Sequence, residues 1–315
     1  MNILSLSGFI PEAICDTKRF TGYQGNQVIS HYCGYGADYI SQVLDDPEID
    51  GAVFPRSCDS CRVMGSYLSG AQGKFIYQFA VPARQDSSAV EYLAGEIQRY
   101  QTAVEQHYRI KITDIPQRIQ MINKRNQTLR KLYQNLDQVS YFSYLKMIEE
   151  MLNTPLSHQS IADQLPGKPD STGKSVYLVG SFLSDIQLTS VIENSGLAIV
   201  GDNLTGSKRL FFKPDIALKG DIYTNIAQSM LSGPLSPTQD HFQAILEQDL
   251  LELRQKEVRG VLFITQKYCE PYDYLFSVYK KVLDREGIPA LRLALSNSND
   301  NRKLAFALEA FSDIL

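Results

Sequence analysis

Five cysteines stand at positions 15, 33, 58, 61 and 269 of a 315-residue chain. They are too few for a disulfide scaffold, and the odd number leaves at least one unpaired, so free thiols, metal ligands or catalysis remain. Cys58 follows the apolar run Gly51 to Phe54 within a few residues, and Cys269 follows Gly260 to Thr265 in the same way. If both runs are strands of open parallel sheets, the two thiols lie in the crevice beyond the strand ends where ligands collect, and can face one cleft. Cys33 precedes a helical pattern, and Gly34 and Gly36 beside it let backbone approach a bulky inorganic group. Three thiolates can hold an iron-sulfur cluster and leave one iron open to substrate or water. The separations are far from the compact runs of ferredoxins, and by spacing alone a small buried hydrophobe is the commoner role of any single cysteine.

Other motifs carry less. Cys58 and Cys61 form a Cys-x-x-Cys, which fits a thioredoxin-like redox pair or half of a zinc site. No second such pair exists, His31, His107, His158 and His241 are scattered, and the chain is far too long for a thioredoxin. Gly173-Lys174-Ser175 has the end of a phosphate loop, but Gly167 is one residue too far away and the triplet precedes a strand pattern instead of following one. Arg118, Lys124, Arg125, Arg130 and Lys131 lie in a stretch without acidic residues, read first as a solvated helix face and second as a contact for CoA phosphates or a partner subunit.

The elements that must position these residues alternate. Asn2 to Leu6, Gly51 to Phe54 and Lys74 to Val81 read as strands, with helices from Tyr35 to Leu44 and Arg62 to Leu68 between them. Ser88 and Glu91 fit a capping box that opens a long helix, on which Val90, Leu93, Ile97, Tyr100, Val104 and His107 form one stripe. Further helices are expected from about Pro116, with Ile119, Ile122, Leu129, Leu132 and Leu136 as its apolar face, and from Tyr141 to Leu152. Leu165 to Lys174 reads as a linker. Alternation then resumes, with strands at Ser175–Val179, Leu197–Val200, Gly260–Thr265 and Pro289–Leu293, and helices near 186–194, 222–231, 238–256, 272–286 and 302–314. The expectation is an α/β protein of two Rossmann/flavodoxin-like parallel-sheet domains with a helical insertion between them. Its parts would be residues 1–85 with two candidate cysteines, a helical region 86–165, and 166–315 with the third.

Length alone favours two domains and a large core. A formal charge of −4, with 31 basic against 35 acidic side chains, gives no reason to expect nucleic-acid binding. The start lacks a basic region, its apolar run is broken by Ser5, Ser7 and Gly8, and nowhere are there 18 consecutive apolar residues, so no membrane segment is expected and the location read is cytoplasmic.

Three segments together resemble the 2-hydroxyacyl-CoA dehydratase and benzoyl-CoA reductase family, of which the 2-hydroxyglutaryl-CoA dehydratase D-component is one iron-sulfur subunit. They are His31 to Gly36 with Asp50 to Cys61, the helical stretch Tyr92 to Tyr133 with Ile112-Thr113 and the Asn126 to Arg130 spacing, and Gly260 to Tyr272 followed by Gly287-Ile288-Pro289. Carried over residue by residue, the resemblance makes Cys33, Cys58 and Cys269 the ligands of a 4Fe-4S cluster; Cys15 and Cys61 match no ligand, and no acid-base residue is assigned. Cys58 is placed above Cys61 because Asp59 follows it, as in the family's Cys-Asp pair. The longer amino-terminal helical region usual in the family is expected to be absent, and Leu204 stands where many relatives have a cysteine. The implied function is radical elimination of water from a 2-hydroxyacyl-CoA through a ketyl, after one-electron activation by an ATP-dependent activator protein, with a related second subunit or as a homodimer. The alternatives implied are a benzoyl-CoA reductase-type or double-cubane-type ATP-dependent reductase subunit, and a cluster-carrying accessory protein without its own substrate.

Overall fold

The structure, a computed structural model, describes residues 1–6, 10–20, 32–71, 73–136, 138–158, 173–183, 185–234, 236–239, 242–295 and 301–315. His31, His241 and most of the expected linker at 165–174 lie outside the described residues. The first half runs β1 (Ile3–Ser5), β2 (Lys18–Arg19), α1 (Gly34–Asp45), β3 (Gly51–Pro55), α2 (Asp59–Leu68) and β4 (Phe75–Phe79). Three helices follow, α3 (Ser87–Tyr108), α4 (Ile115–Gln134) and α5 (Tyr141–Asn153). The second half runs β5 (Lys174–Gly180), α6 (Gln187–Asn194), β6 (Leu197–Leu204), α7 (Lys208–Phe211), α8 (Ile222–Leu231), α9 (Phe242–Gln255), β7 (Gly260–Gln266), α10 (Glu270–Arg285), β8 (Ala290–Leu295) and α11 (Asn301–Ile314).

The strands form two parallel sheets of four, ordered β2-β1-β3-β4 and β6-β5-β7-β8. Both orders follow one plan: the first strand of each half lies inside, and the chain turns from one side of it to the other. That reversal, between β1 and β3 and between β5 and β7, is the switch point at which doubly wound sheets open a crevice. β2 escapes a reading of hydrophobic pattern because Lys18 and Arg19 form no apolar run; pairing with Leu4 and Ser5 makes it a strand.

Alternation along the strands divides the core. Ile3, Val53, Phe75 and Phe79 face a cluster with α3, the start of α4 and α8, whereas Leu4, Ala52 and Phe54 face α1 and α2. In the second sheet Val176, Leu178, Leu262 and Ile264 pack with α5, α6 and α11, and Tyr177, Val179, Val261 and Phe263 with α9 and α10. α4 belongs to both halves: Ile115, Ile119 and Ile122 enter the first core, Leu129 and Tyr133 the second. α8 follows β6 in the chain but packs in the cluster of the first sheet. No helix among the described residues is long and apolar enough to cross a membrane.

Two local expectations are corrected. Asp86, not Ser88, caps α3, its carboxylate accepting the Ala89 amide at 2.9 Å; an aspartate there also meets the positive end of the helix dipole. The basic stretch on α4 is not one solvated face. Lys124 and Lys131 are exposed, but Arg118 reaches Asp16 at 2.9 Å, Arg125 reaches Glu12 at 2.6 Å and Arg130 reaches Asp215 at 2.6 Å. These arginines fasten loops from both halves onto α4. Lys174 and Ser175 open β5, and Lys174 Nζ donates to the Ser312 carbonyl at 2.6 Å, as a strand residue and not a phosphate loop.

Candidate metal centre between the sheet ends

The carboxyl ends of the two sheets face each other across a cavity of about 90 Å³. Leu6 comes from the end of β1 and Pro55, Ser57 and Cys58 from the end of β3. Ser181, Thr205 and Gln266 come from the ends of β5, β6 and β7. Cys33, Cys58, Cys61 and Cys269 all line it. The three cysteines singled out by their places after strands or before a helix thus converge, although 211 positions separate Cys58 from Cys269 in the sequence.

Each of these three occupies the same local position. Cys33 is the N-cap of α1, Cys58 of α2 and Cys269 of α10. The amides of a helix's first turn have no partner within the helix and carry the positive end of its dipole, so three such ends around one cavity suit an anionic occupant. None of the three thiols caps its helix with a side-chain hydrogen bond, so the first-turn amides remain directed at whatever fills the cavity. Burial pushes the Cys33 thiol up to about 11, against the amide of Gly36. Cys269 is driven higher by burial and by the neighbouring Cys33 and Cys58 charges. Cys58 is the exception: the neighbouring Cys61 thiol, outweighing burial, brings it down to about 7. A cation placed among these sulfurs would reverse the logic and hold them as thiolates.

Space at the cavity wall depends on a glycine. A Cβ on Gly36 would lie 3.3 Å from Cys33 Sγ and 3.1 Å from Met64 Cε, so only glycine leaves this part of α1 clear of the sulfur. Across the cavity, Gly180 has φ 150°, and a Cβ there would stand 1.8 Å from the Ile264 carbonyl oxygen. That close approach ends β5 and delivers Ser181, whose Oγ is buried with no hydrogen-bond partner among the described residues. The rest of the far wall is fixed. Buried Arg209 donates to Asn203 Oδ1 at 2.6 Å, to Thr205 Oγ1 at 3.1 Å and to Tyr272 OH. Asn203 Nδ2 in turn donates to both oxygens of buried Asp249, at 2.8 and 2.7 Å.

Sequence reasoning missed Ser181, Thr205, Gln266 and Tyr272, and gave Cys61, paired with Cys58 in a Cys-x-x-Cys, no ligand role. Only Cys61 carried a signal: it lies one helical turn beyond Cys58, which puts the two on one face. Cys15 is elsewhere, buried against Tyr100 OH at 3.1 Å, and Leu204 is buried in the core at the end of β6. Among the described residues no three His, Cys, Asp or Glu side chains are gathered closely enough to hold a single metal ion. A cubane, whose thiolates bind different irons, does not require that closeness.

The sequence model of the family described as 2-hydroxyglutaryl-CoA dehydratase, D-component, matches residues 2–315. The chain belongs to this family. Among characterised members of the dehydratases, the (R)-phenyllactyl-CoA dehydratase beta subunit of Clostridium sporogenes is 26% identical over 147 residues, a match that takes in 45% of this chain and 38% of that subunit. A solved structure described as an SsGBP and GDP complex aligns with 100% of this chain and 99% of its own at 11% identity, with a TM-score of 0.25, too low to bear on the fold. Within the dehydratase D-component family, this chain's thiol-lined cavity lies where the two parallel sheets meet.

Proposed function

We propose that the chain is an iron-sulfur subunit of a 2-hydroxyacyl-CoA dehydratase, with a 4Fe-4S cluster on Cys33, Cys58 and Cys269. The observation that carries this reading is the convergence of three thiols, each at a helix N-terminus, on one buried cavity at the facing switch points. The residues present fit the group: the donors are sulfur, Gly36 leaves room beside Cys33, and Ser181 offers an unused hydroxyl to a sulfur acceptor. When bound, such a cluster passes single electrons, and an iron lacking a thiolate can accept an oxygen as a Lewis acid.

The chain's own residues then have separable tasks. Cys33, Cys58 and Cys269 hold the irons, the first-turn amides of α1, α2 and α10 stabilise the negative charge on the sulfurs, and Leu6, Phe182 and Met64 keep the cavity dry. The reaction is loss of water from a 2-hydroxyacyl-CoA: the C–O bond at carbon 2 and a C–H bond at carbon 3 break as the double bond forms. One electron added to the thioester as a ketyl permits departure of the hydroxyl and is returned at the end. The electron comes from an ATP-dependent activator, and a related subunit completes the enzyme, in keeping with the name of the relative as a beta subunit.

The test is anaerobic purification with iron and acid-labile sulfide analysis, followed by assay with partner, activator and ATP. About four irons per chain are expected, and product should far exceed the reductant supplied because dehydration is redox-neutral. Stoichiometric zinc without sulfide would refute the cluster. Electrons consumed with every product would mean a reductase instead, and full turnover by the chain alone without ATP would refute both.

A further inference from the structure

We infer that Cys61 is a fourth thiolate ligand of the cluster in the substrate-free protein, closing the iron that Cys33, Cys58 and Cys269 leave open. This rests on the cluster reading above and adds a residue to it. Three observations lead to it. Cys61 lines the same cavity as the other three thiols and is 7% exposed. It sits on the first turn of α2, at the third position after the N-cap Cys58, which puts the two on one helix face. Cys61 is also a buried member of the first-sheet cluster against which both Cys33 and Cys58 pack, so it shares the neighbourhood of two of the other ligands.

The spacing supplies the chemical argument. Ferredoxin runs place cysteines two residues apart on neighbouring irons of one cubane, and Cys58-x-x-Cys61 repeats that interval at a helix start. A thiol one turn along α2 from a ligand, buried in the ligand cavity, is placed to bind the next iron of the same cubane. The other role open to it is that of a buried thiol packed in the first-sheet core that binds no iron. The two differ in whether an iron would be free: with Cys61 bound, all four irons of the substrate-free cluster would carry a protein thiolate.

The anaerobic holoprotein tests this without substrate. EPR spectra of the reduced wild-type protein are recorded before and after cyanide, a ligand for an open iron, and mild ferricyanide oxidation reports how readily one iron is lost. The wild type should ignore cyanide and resist conversion to a three-iron form. Cys61→Ala should keep about four irons yet respond to cyanide with a shifted signal and lose one iron readily; Cys61→Ser, with an oxygen in place of sulfur, should fall between them. Wild-type protein that shifts with cyanide, or a Cys61→Ala spectrum identical to that of the wild type in both states, would overturn the assignment. The wild-type response decides the matter by itself if the variants do not fold. Absence of acid-labile sulfide from the wild type would instead sink the cluster reading, a result distinct from either.

Discussion

The ring of Tyr35 lies flat on that of Phe182, with centroids 4.1 Å apart and planes 7° from parallel. Tyr35 is two residues beyond Cys33 on α1 and Phe182 two beyond the end of β5, so the stack joins the two halves at the edge of the cavity. Tyr35 OH donates to the Phe20 carbonyl at 2.5 Å, and Gln266 Nε2 to the Phe182 carbonyl at 3.0 Å, which fixes both rings from behind. A double-mutant cycle of Tyr35→Leu and Phe182→Leu should give a coupling of about 0.5–1.5 kcal/mol in urea unfolding, the range for aromatic pairs. Additive effects would mean the stack holds nothing together.

Cys33→Ser, Cys58→Ser and Cys269→Ser should each lose most of the iron and sulfide, whereas Cys15→Ser should retain them, since Cys15 lies in a separate core against Tyr100. Elemental analysis of the four variants after anaerobic purification checks this. Iron kept in Cys58→Ser but lost in Cys61→Ser would exchange the roles of those two thiols.

Gly36→Ala separates folding from metal binding. In the first turn of α1 alanine is still favoured over glycine, by up to about 1 kcal/mol, and Met64 Cε can move aside. The Cys33 sulfur, 3.3 Å from the new methyl carbon, cannot move without leaving its place. The variant should unfold at or above the wild-type urea midpoint and hold less iron; full iron content with unchanged air sensitivity would show that the close fit is incidental.

Ser181→Ala should act with opposite sign on the two forms of the protein. The metal-free chain should gain on the order of 1 kcal/mol, because a buried hydroxyl without a partner is removed. The loaded protein should show a lower reduction potential, because a donor toward the sulfurs is lost. Redox titration followed by EPR reads the second effect, and an unchanged potential would leave Ser181 without a role at the cluster.

Cys15 gives the pH dependence of stability. Burial pushes its thiol from 9.0 up to about 11, the Tyr100 hydroxyl opposing only in part. The folded state therefore prefers the protonated thiol. Its contribution is fully present below about pH 9 and lost as pH rises through about 11, a swing on the order of 2 kcal/mol. Urea midpoints across that window should fall for the wild type and fall less for Cys15→Ala. In metal-free protein Cys33, raised to the same value by burial, steepens the slope.

The sequence made legible what depends on local pattern. Cys33, Cys58 and Cys269 could be placed because a thiol just past a strand or just before a helix has few places to point in a parallel sheet. Ser181 could not, because its position depends on Gly180 coming close to Ile264, a contact 84 positions apart in sequence that no periodicity records. The arginines of α4 misled for a related reason. Polar residues on a helix ordinarily face water, but α4 spans two cores, and carboxylates from distant loops at Glu12, Asp16 and Asp215 turn its charged side inward. Asp86 and Ser88 are both acceptable caps by type; only the register of α3 on the first sheet selects the former.

Cys33 and Cys58 begin helices that pack on the first sheet, and Cys269 begins one that packs on the second. The proposed inorganic core, held by all three, would be a rivet through a seam, tying together stretches of chain that share no strand. On that proposal its insertion would have an order, with the seam open while iron and sulfide enter and closed once the last sulfur binds. Stripping the iron with a chelator should therefore expose the seam to protease before either sheet unravels.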